Sequence, residues 1–242
     1  MSALAALPTR RDEDFRYADL AALAPLWPVG VEAIEVPAGE ARTMSIVSSG
    51  GVRELAISLG EGASFDLRVL AAGDGYGRVA LRASLSERAS FTLGAAQLGS
   101  GEQVLEVVTE VNHLGRDAVS RQVVRSVAGG GASVNYLGKV KVARGADGTD
   151  GEQSVRAMLL DRQSQANAKP ELEIFADDVK CAHGCAVGEL DANALFYMAQ
   201  RGMPPEAAKR LMLQAFVAEA FVGAEDEDTL LEAAMKALEA ML

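Results

Sequence analysis

From Thr43 to Ala143 the chain is a succession of short segments in which apolar and polar residues alternate. The first five are TMSIV (43–47), RELAISL (53–59), SFDLRVL (64–70), GRVALRAS (77–84) and ASFTL (89–93). QVLEVVTEVN (103–112), VSRQVVRSV (119–127) and ASVNYLGKVKVA (132–143) follow. Alternation with a period of two places every second side chain on one face, the signature of a half-buried strand. Glycines punctuate the series at Gly50-Gly51, Gly60, Gly73, Gly75, Gly99, Gly101 and Gly129-Gly130-Gly131. Regular short strands with glycine turns are compatible with a sandwich, a barrel or a solenoid. Two features favour the solenoid. Hairpin dipeptides are not found at every turn, Asp74-Gly75 and Asp147-Gly148 being among the exceptions, and no helical pattern interrupts the series. Stacked coils would bury a continuous ladder of Val, Leu and Ile.

Composition fits such a core. Apolar residues make up 49% of the 242 residues but aromatics only 5%, so Val, Leu, Ile and Ala must fill the interior. The net charge of −11 argues against a nucleic-acid partner, which needs a clustered basic face. No apolar stretch is long enough to span a membrane. The amino-terminal MSALAALPTRRDEDF has no basic region before its apolar start, so a secretory signal is not expected. The two cysteines lie four residues apart. In an extended segment that is roughly 13 Å, too far for a disulfide. Reduced thiols in the cytoplasm are the simplest expectation.

The chain divides into three zones. Residues 1–40 carry Pro8, Pro25, Pro28 and Pro37 and read as an irregular segment with a short helix between Asp12 and Leu23. Residues 41–190 hold the strands. Residues 191–242 read as three helices. Asp191 caps the first, which stops at Gly202. Pro204 and Pro205 start the second, with Leu211, Met212, Ala215, Phe216 and Val222 on its apolar face. Asp226 or Asp228 caps the third, with Leu231, Ala234, Leu238 and Met241 at helical spacing.

Both cysteines and one of the two histidines fall in KCAHGCAVGELD (180–191), where Cys181, His183 and Cys185 occupy alternate positions. In a strand all three share a face. Three meanings are open: a closed zinc site, two small buried cysteines with a hydrogen-bonded histidine, or a partial site completed by a second subunit. A closed site needs four ligands, and neighbours on one strand face are spaced too widely to share an ion easily. The Gly129–Gly131 run lacks the Lys-Ser/Thr of a phosphate loop and reads as a tight turn. Asp177, Asp178 and Lys180 form a compact charged cluster, read as a salt-linked edge.

The stretch from Lys169 to Phe221, KPELEIFADDVKCAHGCAVGELDANALFYMAQRGMPPEAAKRLMLQAFVAEAF, resembles the carboxy-terminal signature of the SufB/SufD family, scaffold proteins of SUF iron–sulfur cluster assembly. PELEI followed by DDVKC-x-HG is similar to the SufD branch, and LFYMAQRG matches the family's Leu-Phe-Tyr…Arg-Gly pattern. LPTRRDEDFRYADL (7–20) and YLGKVKVARGADGTDGEQSVRAMLL (136–160) resemble further family segments.

The resemblance implies a mainly β protein: a right-handed parallel β-helix core (41–190), a short amino-terminal segment (1–40) and a carboxy-terminal helical domain (191–242) capping the core. It implies a non-enzymatic scaffold that pairs with a SufB-like subunit and docks a SufC-like ABC ATPase, to which the ATPase activity belongs. His183 becomes the residue tied to cluster assembly and Cys181 its neighbour at the interface. Both are then candidate ligands, on the outward face of a terminal strand, for transient iron or an iron–sulfur cluster shared with the partner. No tightly bound cofactor is implied, and a homodimer is an alternative for the isolated chain. Leu195, Phe196, Tyr197, Arg201 and Gly202 fall in the ATPase-docking region. Cys185 stands where many SufD sequences have threonine or a small residue, so no role is carried onto it. The helical domain that precedes the Leu-Pro-Thr-Arg segment in longer members is expected to be missing or reduced. Against the scaffold stand a β-solenoid carbohydrate-active enzyme, which would line a groove with carboxylates, and a purely structural, self-associating solenoid.

Overall fold

The computed structural model describes residues 6–242. The alternating segments become strands that climb in two parallel sheets. One sheet holds β1 (Val31–Val36), β3 (Gly51–Leu59), β5 (Tyr76–Leu85), β7 (Val104–His113), β9 (Ser133–Val142) and β11 (Gln165–Ile174), in that order. The other holds β2 (Ala41–Ser48), β4 (Ser64–Ala72), β6 (Ser90–Gly99), β8 (Val119–Ala128), β10 (Asp150–Leu159) and β12 (Lys180–Gly188). Successive strands alternate between the sheets, so each pair is one coil of a parallel β-solenoid. β1 lies in a stretch that reads as irregular in the sequence.

Parallel, in-register pairing stacks equivalent residues into files along the axis. Ile34, Ile57, Ala83, Val111, Val140 and Leu172 form one such file on the first sheet. Ile46, Val69, Ala95, Val124 and Val155 form one on the second. Between them lies a continuous core in which Phe65 and Phe91 stack with ring centroids 6.3 Å apart. Each fully buried aliphatic or aromatic side chain contributes about 1.5–3 kcal/mol relative to exposure.

The amino-terminal segment differs from the expected helix. It is a 3-10 turn at Glu13–Phe15, one helical turn α1 (Leu20–Leu23) and a second 3-10 turn at Ala24–Leu26. Asp19, expected near the end of a helix, begins α1 instead, its carboxylate accepting from the amides of Ala21 and Ala22. This segment lies on the outer face of the first sheet. There the Arg78 guanidinium sits under the Phe15 ring, 4.2 Å from its centroid, and pairs with Glu106 at 3.2 Å. Burial raises the Glu106 carboxyl, and Arg78 opposes that.

The carboxy-terminal helices are α2 (Ala192–Gln200), α3 (Pro205–Ala218) and α4 (Glu227–Met241). Asp191 caps α2 by accepting from the Asn193 amide at 2.8 Å, and Asp226 precedes α4. They do not cap the solenoid end. Helices α3 and α4 lie alongside, on the outer face of β4, β6 and β8, where Leu213, Phe216, Val217, Leu230, Ala234 and Leu238 pack on Leu70, Ala96, Leu98 and Val127. The outer face of these strands is itself apolar, a second hydrophobic surface that a lid over the end would leave wet. Gly94 permits the docking: a Cβ there would meet the Ala220 carbonyl oxygen at 1.8 Å, and Arg68 donates to that same oxygen at 2.9 Å. The buried face of α3 is accordingly Ala208, Leu213, Phe216 and Val217, while Leu211, Ala215 and Val222 are exposed, contrary to the expected apolar face.

Candidate functional site at the open end of the solenoid

Because the helices pack on the side, none of the described residues stacks as a further coil on the last one. β12 pairs only with β10, and β11 only with β9. Register then decides where the three soft side chains go. Cys181, His183 and Cys185 pair with Gly151, Gln153 and Val155, whose side of β10 faces the core. The three residues therefore sit on the inward face of β12, not the outward face expected from the sequence. They are accessible because the interior is open at that end: Cys181 is half-buried, and His183 and Cys185 are exposed. Cys185 lies toward β11, its Sγ 3.9 Å from the Ala168 carbonyl oxygen. Exposed Ile174, Phe175 and Val187 add apolar surface to the same end.

The files beneath these residues differ in chemistry. Under Cys181 run Gly151, Ser120, Phe91 and Phe65. Ser120 is bonded to His113 Nε2 at 2.9 Å, and both are buried. Burial pushes the His113 imidazole down to about 4, so it is neutral in the folded chain. Under His183 run Gln153, Gln122, Leu93 and Leu67. Gln153 Nε2 donates to the Tyr136 hydroxyl at 3.0 Å, and Thr109 donates to Gln122 Oε1 at 2.9 Å and touches the same hydroxyl at 3.1 Å. Gly138 makes room for this cluster, since a Cβ there would fall 2.1 Å from the Tyr136 hydroxyl and 2.6 Å from Gln153 Nε2. Under Cys185 run Val155, Val124 and Ala95, all apolar. The core is thus hydrocarbon at its amino-terminal end and turns polar beneath Cys181 and His183, while the file beneath Cys185 stays apolar. Sequence reasoning missed His113, Ser120, Gln122, Tyr136 and Gln153. Their signal is polar residues at inward parity in otherwise apolar strands.

Both cysteines are free thiols. Burial raises the Cys181 thiol, with nearby Asp150 adding to the effect against a hydrogen bond from the Gly151 backbone; burial also raises Cys185. A thiolate ligand at Cys181 would therefore form on metal binding, with release of a proton. Among the described residues no three His, Cys, Asp or Glu side chains are grouped to hold a metal ion. Cys181, His183 and Cys185 are therefore not gathered into a closed metal site by this chain.

Helix α2 projects from β12 with no buried residue. Phe196 and Tyr197 are 65% and 57% exposed, and Arg201 lies over the Tyr197 ring at 5.1 Å. Leu195 is half-buried. Gly202, at φ 84°, ends the helix in a Schellman arrangement: its amide bonds to the Ala199 carbonyl and that of Met203 to Met198. The Asp178–Lys180 salt link expected at the edge is not formed among the described residues. Asp178 sits in the turn before β12, where its carbonyl accepts from the Gly148 amide at 2.7 Å.

A family model described as "SUF system FeS cluster assembly, SufBD core domain" matches residues 50–216. The chain belongs to the SufB/SufD family. Among curated relatives, the iron–sulfur cluster assembly protein SufD of Escherichia coli (strain K12) is 30% identical over 141 residues, 58% of this chain and 33% of that protein. SufD of Bacillus subtilis (strain 168) is 33% identical over 121 residues, 50% of this chain and 28% of its own. The chloroplastic protein ABCI7 of Arabidopsis thaliana is 36% identical over 119 residues, 49% and 25% respectively. The matches span a third or less of each relative's length. Within the SufB/SufD family the chain is of SufD type, and the core domain matched covers the whole polar end, β12 and α2.

Proposed function

We propose that this SufD-like chain is a non-catalytic scaffold subunit of the SUF complex. Its open solenoid end abuts a SufB-like subunit, and iron or an iron–sulfur cluster is handled between the two as cargo, with His183 and Cys181 as this chain's ligands. The observation that carries the proposal is the register: the last coil presents both side chains on the lumen side, above a polar interior, with unpaired strand edges and an apolar rim around them. An unpaired, partly apolar sheet end favours a protein partner. Imidazole and thiolate both suit iron. The SufC-like ATPase would dock on α2 and the start of α3, where Phe196 and Tyr197 are exposed aromatic surface.

A groove of about 270 Å³ on the outer face of the first sheet contains Glu13, Glu110 and Glu171, as a carbohydrate-active enzyme would require. Its charges favour the scaffold instead. Lys169 and Lys139 hold the Glu13 carboxyl below its usual range. Burial would raise Glu110, but bonds from Asn112 and Lys141 and the charge of Arg82 take it below. A general acid needs the opposite shift.

Co-purification with SufB-like and SufC-like proteins tests the arrangement. Deleting residues 191–242 is a poor probe, because it would expose Leu70, Leu98 and Val127 on the solenoid. A Phe196→Asp, Tyr197→Asp double variant leaves that packing intact. It should lose the ATPase while retaining the SufB-like partner, and retention of the ATPase would refute the assigned docking surface.

A further inference from the structure

We propose that Gln153 is a positioning residue for His183: its side-chain oxygen accepts a hydrogen bond from the imidazole and so decides which ring nitrogen faces the cargo. The inference rests on His183 being a ligand and adds what sets its orientation. Gln153 and His183 are register partners on the inward faces of adjacent strands, β10 and β12. Such neighbours lie about 4.8 Å apart, within reach of one hydrogen bond between their side chains. Gln153 is 1% exposed, and its Nε2 is committed to the Tyr136 hydroxyl at 3.0 Å. That hydroxyl in turn faces Thr109 Oγ1 and Gln122 Oε1, which can take its proton. The amide is thereby oriented, and Gln153 Oε1 is left buried with no hydrogen-bond partner among the described residues. An unmet buried acceptor is costly, and the one side chain above it in its file is an imidazole, which carries an N–H. An imidazole that donates from one nitrogen ligates through the other, and loss of such a supporting bond typically weakens metal binding about 10–100-fold.

The chain contains only two histidines, so a long-range proton–nitrogen correlation spectrum of the full chain at about pH 8 shows two imidazoles. His183→Ala identifies the second by its loss. In the wild type His183 should hold one dominant tautomer. Gln153→Met, which keeps the volume but removes the acceptor, should redistribute it to the mixture of a solvated ring. Gln153→Glu keeps an acceptor that can also take the Tyr136 proton, and should restore the dominant form. If Gln153→Met does not fold, Tyr136→Phe, which frees the Gln153 amide, should produce the same redistribution. A His183 tautomer unchanged in whichever acceptor-removing variant folds would overturn the proposal, as would a solvated mixture already present in the wild type. These spectra do not depend on cluster assembly. Normal assembly by His183→Ala would refute the scaffold role of His183 without altering the tautomer result.

Discussion

Acid should weaken this fold through His113, the histidine farthest from the open end. The imidazole is fully buried against Ser120, and burial sets its folded value at about 4 against an ordinary 6.5. The sign follows from which state takes the proton first. Near pH 6.5 the unfolded chain binds a proton that the folded chain refuses until about pH 4. The stabilisation is complete above about 6.5 and is lost as pH falls toward 4. At roughly 1.4 kcal/mol per pH unit, the full loss is about 3 kcal/mol, and about 2 kcal/mol is gone by pH 5. For a chain of this size that corresponds to a fall in Tm of about 4–8 °C. His113→Gln keeps a hydrogen-bonding partner for Ser120 but cannot titrate. Denaturant or thermal melts of both proteins between pH 7 and 5 should show the wild type losing stability and the variant losing markedly less. Parallel curves across that range would refute the buried-imidazole account.

Gly94→Val should release the helical layer from β4, β6 and β8, because its Cβ would collide with the Ala220 carbonyl; proteolysis should then cut within 191–242 while the solenoid's circular dichroism persists. Glu106→Ala should cost about 3–5 kcal/mol by stranding the buried Arg78, whereas the Arg78→Met, Glu106→Leu double variant should recover most of that in denaturant melts. Cys185→Ala should leave stability within about 0.5 kcal/mol and cluster assembly unchanged, since Cys185 lies at an exposed end above an apolar file; an assembly defect equal to that of His183→Ala would show that all three residues act together.

The solenoid was legible because strand parity and glycine punctuation are local signals, and each alternating segment from 43–47 to 132–143 became a strand. The placement of the helices was not, because it depends on the outward parity of Leu70, Leu98 and Val127, which counts as noise until the strands are known to stack. Alternation alone also left the face of β12 undecided. Cys181, His183 and Cys185 share a side by spacing, but only pairing with Gly151, Gln153 and Val155 makes that side the inner one. The polar interior arises from single residues far apart in the chain, such as Thr109, Gln122, Tyr136 and Gln153, which meet only through the register of four strands in two adjacent coils. Asp191 and Gly202, by contrast, act within one helix, and their roles could be read directly.

The central claim is that His183 works at the open end without holding the fold together. The most direct measurement is cluster formation, followed by visible absorbance, in a complex of the His183→Ala chain with SufB-like and SufC-like partners, with melting and complex recovery measured on the same preparation. The account predicts a near-normal melt and intact complex with cluster formation lost, because the imidazole is exposed and its removal costs the fold no more than the single proposed bond to Gln153. Cluster formation at the wild-type level would contradict it, and so would a collapsed melt with parallel loss of the complex.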